Sequence, residues 1–278
     1  QMVNASRREH NLPPLVPESK LDAAAQAHAA DMLKRSYFAH DSPEGKNVGD
    51  RYEAAGGSTF RLTAENIAKC QGCRPPITEA DLRMIHDGWM KSPGHRENIL
   101  RKGLTAFGFG LAANANGGLY AVQTFSGPGV QKDEATGAAA GKPFPPQAQA
   151  KAALAEINER RKKAGKRPLE LDDGLGKAAS VVAQKTGENE SASAGSEDIR
   201  AMLPIGEQAD WRSMTIIAGT CGGCGAETVP ADIGYFIQEW LTDKTYANML
   251  LDAEATHLGF AVHANGKGLK AAVGIVGR

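Results

Sequence analysis

Leu21, Ala25, Ala29, Met32 and Leu33 form one apolar stripe along "KLDAAAQAHAADMLKRS", which predicts a helix with Ser19 as its N-cap. A second stripe, Leu82, Ile85 and Trp89, runs through "TEADLRMIHDGWMKS" behind a Thr78 cap. "VGDRYEAAG" predicts a short helix ended by Gly56 or Gly57, and "RLTAENIAK" is short and β-like. "AFGFGLAANANGGLYAVQTFSG" alternates on either side of Asn116-Gly117-Gly118, the pattern of a hairpin. The chain ends on a similar pattern, "GFAVHANGKGLKAAVGI".

That second hairpin belongs to a repeat. Adding 151 to Cys70, Cys73, Trp89, Thr105, Gly108 and Phe109 gives Cys221, Cys224, Trp240, Thr256, Gly259 and Phe260. Upstream the offset is 154, taking Val3, Asn4, Arg7, Pro14, Leu15 and Leu21 to Ile157, Asn158, Arg161, Pro168, Leu169 and Leu175. Each copy is about 125 residues, enough to own a core. The expected organisation is a first domain over 1–127, a Gly/Ala/Pro-rich linker over 128–147 and a second domain over 148–278. Phe144, at the end of the linker, is expected to pack on one of the domains. Helices on both sides of a small antiparallel sheet make each copy α+β, a three-layer α-β-α sandwich.

Composition narrows the partners. Lys plus Arg equals Asp plus Glu, 32 each, so the basic surface of a nucleic-acid binder is missing. No stretch approaches 18 uninterrupted apolar residues, which argues against a transmembrane segment. The opening "QMVNASRREHNLPPL" has no signal peptide and reads as a mature form, with an exported origin left open. The four cysteines stand as Cys70-x-x-Cys73 and Cys221-x-x-Cys224. A shared structural zinc would have to span an interval far longer than a zinc ribbon's, and a redox motif would need a helix where "CQGCRPP" and "CGGCGAE" have Gly and Pro. Two short-range disulfides, one per copy, fit best if the protein is exported.

Three polar residues stand out in the first copy. His95 falls in the first turn of a helix opened by Ser92 and Pro93 in "KSPGHRENIL", where the helix dipole favours the neutral, metal-competent imidazole. His40 sits at a helix-to-loop exit in "YFAHDSP". Glu65, in "TAENIA", lies by alternation on the face opposite Ala64 and Asn66. Taken singly, each is as readily a surface or hydrogen-bonding residue as a functional one.

Together, "YFAHDSP", "AENIA" and "WMKSPGHRENIL", in this order and spacing, resemble the CAP superfamily of cysteine-rich secretory proteins, antigen 5 and pathogenesis-related 1 proteins, and its compact bacterial branch most. The resemblance covers about residues 1–127 and more weakly 148–278. It implies an α-β-α sandwich with a central cleft, where His40 and His95 bind a divalent metal such as zinc with Glu65 close by. Many eukaryotic members carry a second glutamate after the motif Trp; here that stretch is Met90-Lys91-Ser92, so two imidazoles would hold the metal weakly and water would complete its shell. In the second copy the matching positions are Ala194, Ile216 and Tyr246; His257 and His263 match Ala106 and Ala112 and do not restore the site. The second copy therefore reads as a degenerate domain kept for packing or partner contact.

The resemblance implies an exported protein, extracellular or periplasmic, acting as a non-enzymatic binding or scaffold protein toward a protein, lipid or cell-envelope ligand. The alternative is a metal-dependent hydrolase, a peptidase or esterase with Glu65 as general base. Ser42 and Ser92 lie near the histidines in sequence, with nothing marking either as an activated nucleophile. A disulfide oxidoreductase built on the CxxC pairs is disfavoured by their Gly and Pro surroundings.

Overall fold

The computed structural model describes residues 1–130, 144–188, 199–204, 206–207 and 211–278. The chain forms two compact units, Gln1–Gly129 and Val130–Arg278. Most of the Gly/Ala/Pro-rich stretch predicted as a linker, and Ala194, lie outside the described residues.

The first unit contains α1 (Met2–Glu9), β1 (Val16–Pro17), α2 (Ser19–Arg35), α3 (Val48–Ala54), β2 (Leu62–Gln71), α4 (Glu79–Lys91), α5 (Pro93–Leu100), β3 (Ala106–Ala113) and β4 (Gly118–Gly127). Its four strands lie in the order β1-β3-β4-β2. The predicted hairpin forms β3 and β4, and β2 joins β4 antiparallel from Leu62↔Gly127 to Gln71↔Gly118. The sheet is not wholly antiparallel, because the two-residue β1 adds to β3 in parallel.

Alternation along the strands sorts the core into two faces. Ile67, Ala112, Tyr120 and Val122 meet Ala25, Ala29 and Met32 of α2, while Ala64, Leu119, Ala121 and Phe125 meet Val3, Ile85, Trp89 and Ile99 of α1, α4 and α5. Helices cover both sides, giving three layers. Thr78 starts α4 through a reciprocal capping box with Asp81, worth about 1 kcal/mol. α2 begins at Ser19 itself, with Glu18 at the N-cap and no side-chain cap bond; Ser92 likewise makes no cap bond to α5.

The second unit repeats the order with α6 (Pro146–Lys163), β5 (Glu170–Leu171), α7 (Asp173–Glu188), α8 (Ile199–Met202), β6 (Met214–Cys221), α9 (Pro230–Thr242), α10 (Lys244–Leu250), β7 (His257–Ala264) and β8 (Lys270–Gly277). Its sheet order is β5-β7-β8-β6. Glu65 pairs with Thr124 and Ile216 with Ile275, so the 151 offset is also the register of the two sheets. Phe144 packs against the second unit's core, and its N–H donates to Thr228 O at 3.0 Å.

Two repeated residues now have physical reasons. Arg7 and Arg161 are buried and donate to matched carbonyls: Arg7 to Pro13, Ile99 and Arg101, Arg161 to Arg167, Leu250 and Asp252. Each guanidinium ties the first helix of its unit to the loop after the last one, where backbone carbonyls would otherwise be unpaired. Gly108 and Gly259 let a helix lie directly on a strand: a β-carbon at either would stand 2.2 Å from the backbone of Leu21 or Leu175. The CxxC pairs are disulfides, Cys70–Cys73 and Cys221–Cys224, one at the end of each edge strand, so neither a shared zinc nor free thiols remain. No helix among the described residues is long and apolar enough to cross a membrane.

Candidate functional site: two histidines at the edge of the first sheet

α2 ends at Ser36 in the left-handed conformation, φ 58°, which turns the chain back across the helix. The loop that follows is pinned by His28, a buried residue on the apolar stripe of α2, whose Nε2–H donates to Ala39 O at 3.0 Å. Burial pushes the His28 imidazole below its ordinary pKa, against the pull of Glu65. The Tyr37 hydroxyl donates to Asp31 at 2.7 Å and fixes the start of the same loop. His40 is thereby delivered to the sheet edge, with its side chain about half exposed (56%).

Glu65 meets it there. Its side chain is 1% exposed and occupied on both oxygens. Oε1 accepts from His40 Nδ1 at 2.9 Å, and Oε2 accepts from Arg51 at 2.7 Å. Arg51 also donates to His40 O at 2.9 Å and Lys46 O at 2.6 Å, so one guanidinium holds both the carboxylate and the histidine loop. It is aimed by α3, whose start is set by the Asn47–Asp50 capping box. The hydrogen bond that His40 donates to Glu65, opposed by partial burial, raises the His40 pKa.

His95 comes from α5, which is fastened to the outer edge of β2 by amides. Asn66 Nδ2 donates to His95 O at 3.1 Å, and Asn98 Nδ2 donates to Glu65 O at 3.0 Å and Asn66 Oδ1 at 3.1 Å. His95 is half-buried, and desolvation followed by the charge of His40 lowers its pKa. Ser42 hydrogen-bonds Glu44, so it shows no nucleophile–base arrangement with either histidine.

The donor chemistry fits a weak divalent-metal site. With Nδ1 of His40 engaged by Glu65, Nε2 is the atom left for a metal, the arrangement in which a carboxylate orients a ligating imidazole. His95, held toward its neutral form, is the residue that would supply a second nitrogen if a metal were bound. Among the described residues no three His, Cys, Asp or Glu side chains are grouped to hold a metal ion. Glu65 is placed to anchor His40 and pair with Arg51 rather than to ligate.

Arg51 and His28 were not singled out from sequence. The signals were faint: Arg51 stands one turn after a capping Asn-x-x-Asp, and His28 lies on the same helical face as Ala24, Ala25, Ala29 and Met32.

The described counterpart in the second unit is largely apolar. Offset 154 takes His28 to Val182; offset 151 takes Glu65, Asn66, His95 and Asn98 to Ile216, Ile217, Tyr246 and Met249. Val182 packs with Leu203, Trp211, Val273 and Ile275, with Ile216 against the same cluster. At the positions of His28, Glu65, Asn66 and Asn98 the polar groups have been replaced by the aliphatic or thioether side chains of Val182, Ile216, Ile217 and Met249.

The family model for the cysteine-rich secretory protein family, CAP, matches residues 1–125 and 154–276. The uncharacterized protein YkwD of Bacillus subtilis is 34% identical over 116 residues, 42% of this chain and 42% of the relative. The uncharacterized membrane protein YlbC of the same organism is 31% identical over 110 residues, 40% of this chain and 29% of the relative. The matches thus span less than half of either relative. A solved extracellular protein with an SCP domain from Bacillus anthracis is 31% identical, covering 45% of this chain and 37% of that one, with a TM-score of 0.37.

Proposed function

The chain belongs to the cysteine-rich secretory protein (CAP) family, with two tandem copies of its domain, and from that premise we propose an exported binding or scaffold protein whose first unit holds a weak divalent-metal site. His40 and His95 are the ligands, zinc the expected metal, and water or a ligand completes the shell. When bound, the metal supplies a Lewis-acidic centre for an oxygen- or nitrogen-bearing ligand. Arg51 and Glu65 hold His40 in place and fix its tautomer, and Asn66 and Asn98 hold the backbone of α5. The ligand class remains a protein, lipid or cell-envelope component, and the disulfides support an oxidising, extracellular or periplasmic setting.

One observation carries the choice of binding over hydrolysis: both oxygens of Glu65 are engaged, by His40 and Arg51, in a buried position. A general base must reach and take a proton from the attacking water. Glu65 could do so only by leaving the ion pair that organises the loop.

Calorimetric zinc titration tests the site. Wild type should bind one zinc, His40→Ala and His95→Ala should abolish binding, and Glu65→Gln should weaken it about 10- to 100-fold. Unaltered titrations in both histidine variants would remove the metal from this reading. Ester or peptide hydrolysis by the wild type that disappears in Glu65→Gln would replace binding by catalysis.

A further inference from the structure

The first unit fills the space between α5, the start of β2 and the end of β4 with Leu62, Leu104 and Phe125, all packed in its core. Offset 151 takes them to Ser213, Ala255 and Val276, so three large apolar side chains have become small ones. In the second unit a pocket of about 470 Å³ stands there, between α10, the start of β6 and the end of β8. Its volume lies in the range of pockets that take small molecules. Removing that much buried apolar volume costs stability, which an occupant of the pocket restores. Trp211, two residues before Ser213, is buried with Val273 and Ile275 on the α7 face, so the chain reaches β6 from the side opposite the pocket.

The lining has also turned basic and polar. Pro93, Glu97 and Gly127 of the first unit become Lys244, Asn248 and Arg278, and Thr215 and Thr245 replace Ala64 and Gly94. Arg278 is held in place: its N–H donates to Ser213 O at 3.1 Å, and its Nε donates to Ser213 Oγ at 2.6 Å. Asp252, the one acid in the lining, is already engaged. Its Oδ1 accepts from the Glu254 N–H at 3.0 Å and its Oδ2 from Arg278 Nη1 at 3.4 Å. Among the described residues Arg278 Nη2 has no acceptor, and the exposed Lys244 makes no ion pair. The pocket therefore carries an uncompensated positive charge beside hydroxyls and an amide, over a floor of Met249, Ala255 and Val276.

We propose that this pocket binds a small hydroxyl-bearing molecule through a carboxylate or phosphate head group set against Lys244 and Arg278. The guanidinium offers directed N–H donors to an oxyanion and the ammonium a point charge, while Thr215, Thr245 and Asn248 meet the hydroxyls of the ligand. The second unit is then a binding unit in its own right, with a site that the first unit fills with core side chains. None of its residues belongs to the His40–His95 site, so the two readings stand or fall separately.

The test is an amide NMR titration of the full chain with glycerophosphate, glycerate and glycerol, which share a polyol and differ in the head group. At least one of the two acids should shift the amides of Ser213, Thr215, Asn248 and Met249 saturably at millimolar concentration, and the tighter acid identifies the head group. Glycerol should leave those amides in place, as should either acid the matching amides of Leu62, Ala64, Glu97 and Asn98. Lys244→Ala, a surface change, should weaken binding about tenfold. Ala255→Leu returns the first unit's residue to the pocket without touching a charge and should abolish binding, while zinc binding stays as in wild type. Two acids that give no saturable shift at these amides, shifts spread evenly over both units, or binding indifferent to Lys244→Ala would each overturn the proposal.

Discussion

Replacing Glu65 by Leu removes one member of a buried ion pair and leaves Arg51, whose side chain is 11% exposed, without its carboxylate. Two unit charges at 4 Å interact by about 4 kcal/mol at an effective dielectric of about 20, and truncating one partner of such a pair costs about 3–5 kcal/mol. Arg51 keeps its bonds to His40 O and Lys46 O, so the lower end, about 3 kcal/mol, is expected. Adding Arg51→Met removes the stranded cation and leaves two carbonyls without a donor, at about 1 kcal/mol each. The double variant should therefore lie about 2 kcal/mol below wild type, more stable than Glu65→Leu alone. The second unit shows the apolar solution already in place, with Ile216 at the Glu65 position. Because the chain has two units, a single global transition would mix their stabilities. Amide hydrogen exchange read separately on β2 and β6 avoids this, and only β2 should respond. A loss below 1 kcal/mol in Glu65→Leu, or a double variant as unstable as the summed singles, would refute an ion pair that organises the cleft.

Two further outcomes test the packing and the pH response. Gly108→Ala should destabilise the first unit by about 1–3 kcal/mol because the methyl meets the backbone of α2, while Gly88→Ala, mid-helix with nothing within 4 Å, should stabilise by about 1 kcal/mol; chemical denaturation followed by hydrogen exchange distinguishes them. His86 is buried against the Ser6 hydroxyl at 2.8 Å and desolvation lowers its pKa, so the unfolded chain takes up its proton first as pH falls. Its contribution is fully present above the ordinary histidine value of about 6.5 and is lost as pH drops from there to the lower folded-state value, by about 1.4 kcal/mol for each pH unit crossed. The stability of His86→Leu should consequently fall less between pH 7 and pH 5 than that of wild type; equal slopes would show that His86 is solvated in the native state.

The repeat was legible because backbone demands recur wherever the same scaffold is built. Arg7 and Arg161 answer matched carbonyls, and Gly108 and Gly259 answer matched helix–strand approaches, so each pair survives at a constant offset. The helices and hairpins were legible from local periodicity and turn residues, which act within a few positions. The parallel β1–β3 pairing was not, because two residues carry no period and their partner lies far along the chain.

His40, Glu65 and His95 could be named from the sequence as candidates, since their types and surrounding motifs are local. What each does there was decided only by the fold. Glu65 is closed off because Arg51, from a different element, reaches both its carboxylate and the loop of His40. The loss of the amide cap on β6 likewise emerges only in three dimensions, where Met249 stands in the place from which Asn98 reaches the strand in the first unit. Patterns along a chain record which surfaces must be buried; the pairing of charges and unsatisfied backbone groups depends on distances between segments that the pattern does not contain.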